Sequence, residues 1–81
     1  MYTAVINIKS LPLDKVRSFV SIVSRFDLDI DLKAGNRMVD GKSFLGIMTL
    51  DLGKPMKLCL VSNEYEEITK LTDKLSRTGF V

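Results

Sequence analysis

The sequence predicts an α+β domain in two layers: a four-stranded antiparallel sheet with amphipathic helices on one face and water on the other. Two observations carry this. Four short segments alternate apolar and polar residues with the period of a half-buried strand, and two longer ones repeat apolar residues at helical spacing. The length of 81 residues sets the expectation of one domain over residues 1–81. A domain of that size buries about 60–65% of the surface its unfolded chain exposes. With 46% hydrophobic and 27% charged residues, the chain has the composition of one that folds unaided.

The first strand comes from MYTAVINIKS, with Tyr2, Ala4, Ile6 and Ile8 on one face and Thr3, Val5, Asn7 and Lys9 on the other. Ser10 and Pro12 mark the start of a helix, where proline sacrifices no hydrogen bond, and Leu13, Val16, Phe19, Val20 and Val23 form its apolar stripe up to about Arg25. In DLDIDLKAGNRMV, Leu28, Ile30 and Leu32 alternate with Asp27, Asp29 and Asp31, so the aspartates mark the wet face. Gly35-Asn36 then turns the chain into a short third strand, making a hairpin. Ser43 is a suitable N-cap for a short apolar helix, after which Gly53 and Pro55 interrupt the chain. Strand four is MKLCLVS, with Met56, Leu58 and Leu60 opposed to Lys57, Cys59 and Val61. Asn63 and Glu66 have the spacing of a capping box for a last helix striped by Tyr65, Ile68, Leu71 and Leu75 and ended by Gly79.

Several function classes are disfavoured by what the chain contains. A net charge of +2, with basic residues dispersed among ten acidic ones, argues against nucleic acid as a direct partner. The absence of histidine removes the commonest general base and most zinc sites, so neither enzymatic catalysis, a metal nor a cofactor is expected. Cys59, the single cysteine, reads as a small structural residue. No secretory signal and no apolar stretch long enough for a bilayer is visible, which predicts a cytoplasmic protein without a membrane partner. Gly41-Lys42-Ser43 has the ending of a phosphate-binding loop, but the first glycine of that loop would fall at Asn36, and a hairpin strand precedes it. Asp27, Asp29 and Asp31 have the spacing of a calcium loop, but its glycine and glutamate positions are Leu32 and Met38.

What remains is the segment after Ser43. Phe44, Leu45, Ile47, Met48, Leu50 and Leu52 are more apolar groups than one short helix can hide. They either complete the core or leave Phe44, Leu45 and Met48 as a docking patch. A phosphate on Ser43 would meet the positive end of the helix dipole and change the edge of that patch without unfolding the domain.

VDGKSFLGIMTLDL resembles the regulatory-serine segment of the phosphocarrier protein HPr family, in which a Lys-Ser pair precedes a short apolar helix containing Gly and Met. SRFDLDIDLKAGNRMVDGKS is similar to the family's second and third strands without a gap. The resemblance implies an HPr-like open-faced β-sandwich, with three helices on one face of a four-stranded antiparallel sheet. It further implies a bacterial phosphotransferase system (PTS), in which a histidine at the start of the first helix relays a phosphoryl group with the help of an arginine. In the same register these positions fall on Pro12 and Asp14. Proline offers no nucleophile, and the carboxylate repels an incoming phosphoryl group. The serine that HPr kinase phosphorylates in the family matches Ser43, preceded by Lys42. The expectation is therefore a non-catalytic regulatory module that binds protein partners (HPr kinase, a transcriptional regulator or a PTS component) through Lys42, Phe44, Leu45 and Met48 under control of Ser43. Its alternatives are a phosphocarrier with an unorthodox acceptor such as Asp14, or an assembly domain without phosphorylation.

Overall fold

The computed structural model describes residues 1–81. The strands are β1 (Tyr2–Ile8), β2 (Asp29–Ala34), β3 (Arg37–Asp40) and β4 (Met56–Ser62). The helices are α1 (Val16–Val23), entered through a 3₁₀ turn at Leu13–Lys15, α2 (Phe44–Ile47) and α3 (Tyr65–Arg77). The sheet order is β1-β4-β2-β3, with every neighbouring pair antiparallel.

The alternation read from the sequence sorts the two faces as expected. Ile8, Leu28, Ile30, Leu32, Met56, Leu58 and Leu60 are buried under the helices, whereas Thr3, Val5, Asn7, Asp29, Lys33 and Lys57 are exposed on the open face. From the helices, Val16, Phe19, Ile22, Val23, Ile47, Ile68, Leu71 and Leu75 complete one core cluster. Each such side chain contributes roughly 1.5–3 kcal/mol by leaving water.

The hairpin turn between β2 and β3 uses Gly35 at φ +61°, with Asn36 at negative φ. A left-handed residue at the first turn position alone is the arrangement of a type II′ turn, whose twist suits the flanking strands. The end of α3 needs Gly79 at φ +83°: the Phe80 N–H reaches the Leu75 carbonyl (2.9 Å) and the Gly79 N–H the Ser76 carbonyl (3.3 Å). These two bonds make a Schellman cap and carry Phe80 back onto Phe19, edge to face at 5.5 Å between centroids.

Five local expectations are corrected. Pro12 does not lie within the helix; it caps the 3₁₀ turn with an extended ψ of 142°, and α1 ends at Val23, short of Arg25. Because the entry is 3₁₀, the phase of the stripe changes and Leu13 faces solvent, 65% exposed. The cap of α3 is Glu64 rather than Asn63, and no side chain accepts from its first turn; the Glu64 N–H instead donates to Ser62 Oγ at 3.0 Å. Tyr65 is exposed and packs edge to face on Tyr2, away from the core.

Gly41 fixes how the chain leaves the sheet. Its N–H donates to the Ile30 carbonyl at 2.7 Å, and a Cβ built there would lie 2.5 Å from Ile30 Cγ2 and 3.2 Å from the Ile30 carbonyl oxygen. Any larger residue must push the segment off β2. Gly41→Ala is expected to destabilise the fold by about 1–3 kcal/mol, measured as a lowered urea midpoint with an unchanged m-value.

Candidate functional site

The site is built outward from the turn that follows β3. Asp40 Oδ1 accepts from the Lys42 N–H at 2.9 Å, and the Asp40 carbonyl accepts from the Ser43 N–H at 3.0 Å. This local turn is typical of aspartate. It delivers Ser43 in an extended conformation at the N-cap of α2, where its Oγ accepts from the Gly46 N–H at 3.1 Å. The expected cap is therefore present, and the Ser43 hydroxyl is half-buried.

A helix of one turn is not stable alone, so its neighbours must hold it. Ile47 and Leu50 are buried, and Gly46 packs on Val39 of β3, where an added Cβ would lie 3.2 Å from Ser43 Oγ and 3.4 Å from the valine Cβ. At the other end, Thr49 Oγ1 donates to the Gly46 carbonyl (2.7 Å) and accepts from Arg37 Nη2 (2.9 Å), tying the helix to β3. Beyond it, the Leu52 carbonyl accepts from the Leu11 N–H at 2.9 Å, which joins the segment after α2 to the one before α1.

The residues proposed for docking separate into three environments. Leu45 is 77% and Met48 39% exposed, so both present apolar surface to solvent. Phe44 is half-buried, packed on the core with the Arg17 guanidinium 5.1 Å above its ring centroid. Lys42 points elsewhere: its Nζ donates to the Phe26 carbonyl at 2.8 Å, and it borders a depression shared with Asp27, Asp29 and Glu67. Its ammonium thus pins the α1–β2 connection and does not extend the Leu45 and Met48 surface. Pro12 and Asp14 are exposed around the 3₁₀ turn that leads into α1. No group of three or more His, Cys, Asp or Glu side chains converges closely enough to hold a metal ion.

Two residues of this site escaped the sequence reading. Arg17 stands on the solvent side of α1, where any charged residue would be unremarked, and only the α1–α2 packing brings it over Phe44. Arg37 sits in an edge strand, and its partner Thr49 lies 12 residues away across α2. No local signal marks either residue.

Comparison with known proteins bears on this arrangement. The family model of the PTS HPr component phosphorylation site matches residues 3–76. The crystal structure of HPr-C-His from Thermoanaerobacter tengcongensis is similar, with TM-score 0.70 and 32% identity over 99% of this chain and 96% of that one. The phosphocarrier protein HPr from Bacillus anthracis superposes with TM-score 0.71 at 23% identity, over 88% of this chain and 94% of that one. A histidine-containing phosphocarrier protein of Mycoplasma does so with TM-score 0.71 at 15% identity, over 99% and 98%. At such identities the last two speak to the fold.

The cap makes a quantitative prediction. Ser43→Ala should cost about 0.5–2 kcal/mol of stability, and Ser43→Asp distinctly less because aspartate accepts the same N–H. Equilibrium denaturation of the three proteins measures the difference, and equal losses for both variants would mean that the hydroxyl does not cap α2.

Proposed function

The chain belongs to the HPr family of the phosphotransferase system, and we propose that it acts there as a non-catalytic regulatory module that docks protein partners under control of Ser43. The observation that carries this reading is the position of Leu45 and Met48: both lie in solvent beside the Ser43 cap, although the core is closed without them. Exposed apolar side chains on a short, well-braced helix suit recognition by another protein.

The chemistry at the start of α1 supports the same reading. The 81 residues contain no histidine, and in the family's register the phosphoacceptor position is Pro12 and that of its arginine is Asp14. An exposed carboxylate there opposes the approach of a phosphoryl group and offers no cation to stabilise its transfer. Ser43 keeps what regulation requires. A phosphate on its Oγ retains acceptor oxygens for the Gly46 N–H and adds about −2 charge next to the apolar surface.

Arg17 extends the proposal. Its guanidinium is held over Phe44, the residue next to Ser43, and borders the patch with a fixed positive charge. A partner for this surface has an apolar centre flanked by acidic groups, and phosphorylation would shift its preference toward basic ones. Within the phosphotransferase system such a partner is a transcriptional regulator or another PTS component in a bacterial cytoplasm, and the modifying enzyme is HPr kinase. No helix of the protein is long and apolar enough to cross a membrane.

Two measurements test this. Incubation with ATP and an HPr kinase of the same host is expected to add one phosphate by intact-mass spectrometry, and none to Ser43→Ala; no modification under conditions that modify an authentic HPr overturns the role of Ser43. Leu45→Glu and Met48→Glu should each weaken the partner complex by about tenfold or more, while folding stability moves by no more than about 0.5 kcal/mol. Unchanged affinity in both variants would place the docking surface elsewhere.

A further inference from the structure

The open face of the sheet carries a charge pattern that neither the core nor the α2 site explains. Register places Asn7, Lys57 and Lys33 in one row across β1, β4 and β2, since Lys57 is opposite Asn7 on one side and opposite Lys33 on the other. Lys9 follows two residues after Asn7, at the end of β1. The adjacent row reads Val5, Cys59, Asp31 and Asp40. Acidic and basic residues are therefore segregated along the strands instead of paired across them.

Directly opposed side chains on a sheet lie about 4.5–5.5 Å apart at Cβ, where like charges destabilise the pairing. Lys33 and Lys57 are such a pair, and none of Lys9, Lys33 and Lys57 forms an ion pair: the two salt bridges of the molecule are Lys54–Asp51 and Arg77–Asp73. Asp31, two residues from Lys33 on the same face, forms none with it. The three lysines border a concave depression of about 410 Å³ at this end of the sheet, flanked by Asn7 and Pro55, with no carboxylate in its wall. That volume is within the range of small-ligand sites.

We propose that this end of the open face binds a small phosphorylated molecule, with Lys33 and Lys57 holding the phosphate and Lys9 flanking it. Lysine binds phosphate as a compact point charge without demanding a planar, bidentate partner. A dianion between Lys33 and Lys57 turns their mutual repulsion into attraction. The rest of the face limits the ligand's size. Asp31, Asp40 and Asp29 occupy the neighbouring rows and would repel an extended phosphodiester chain or an anionic lipid surface, and no aromatic side chain on this face is available for a base to stack on. The site lies on the opposite side of the sheet from α2, so it stands independently of the role proposed for Ser43.

The test is an NMR titration of the full chain with sodium pyrophosphate at constant ionic strength. Saturable shifts confined to the amides of Asn7, Lys9, Lys33, Gly35 and Lys57 are expected. Lys33→Gln and Lys57→Gln should each weaken the apparent affinity by about two- to fivefold, as suits exposed ion pairs, and the double variant should lose the saturable response. Both lysines are exposed, so the variants fold. Thermal melts give a second readout: without pyrophosphate, Lys57→Gln should melt at or above the wild-type temperature because repulsion is relieved, and with it the order should reverse. Comparing proteins in the same buffer removes the general stabilisation that phosphates confer. An absence of saturable shifts, shifts spread equally over Lys70 and Lys74, or a short oligonucleotide or anionic vesicle bound more tightly than pyrophosphate through these lysines would each overturn the proposal.

Discussion

Strand β4 lies between β1 and β2 and pairs with both, so its alternation decides which side chains of three strands face the helices. Leu58 is opposite Ile6 and Leu32, and Leu60 is opposite Ala4 and Ile30. Sliding β4 by one residue would bring Lys57, Cys59 and Val61 under the helices and send Met56, Leu58 and Leu60 into water. Three large side chains at roughly 1.5–3 kcal/mol each exceed what a domain of this size can forgo. The register is thereby fixed without any disulfide, and the placement of both functional surfaces follows from it.

On the helix side, the consequence is that α2 has little to contribute to the core. Ile47 and Leu50 fill the space between α1 and β3, and Gly46 is small enough to let the helix settle there. Leu45 and Met48, on the other side of the turn, then find no cavity to enter. Their exposure results from geometry: a single helical turn cannot direct five apolar groups to one side. The bracing is supplied by polar groups, the Ser43 cap at one end and the Arg37–Thr49–Gly46 chain at the other. Such a helix can present apolar surface without dissolving into the core, which is what a recognition surface needs.

The strands and the stripes of α1 and α3 are legible because they depend on local periodicity, and most of the residues they assign to the core are buried; Leu13 and Tyr65 are exposed, and Leu11 and Ile22 join the core from outside the stripes. Ser43 was legible as a cap because serine before an apolar run has few other local uses. The failures share a cause. Leu13 belongs to the stripe only if the entry is α-helical, whereas Pro12 starts a 3₁₀ turn with a different phase. Asn63 had the right spacing for a capping box, yet the turn at Ser62 placed Glu64 at the boundary instead. Lys42 stood beside Ser43 in sequence, but a long side chain is directed by the nearest acceptor, and the Phe26 carbonyl is on the other flank. Arg17 over Phe44, and Lys33 opposite Lys57, exist only once elements distant in sequence are docked.

The two surfaces meet at β2. The strand's Ile30 carbonyl receives the Gly41 N–H that positions Ser43, and three residues further on Lys33 stands in the cationic row on the opposite face. This is a rigid connection through a well-packed strand, and coupling between distant sites requires an element with two arrangements that both sites bias. No such element lies between them: β2 pairs with β4 from Asp29 to Lys33 and with β3 from Asp31 to Ala34, and Ile30 and Leu32 are fully engaged in the core. A ligand at the lysine end would therefore leave the Ser43 cap and the Leu45 surface as they are. The sheet insulates its two faces from each other, and selection can alter the charge row without disturbing the docking helix.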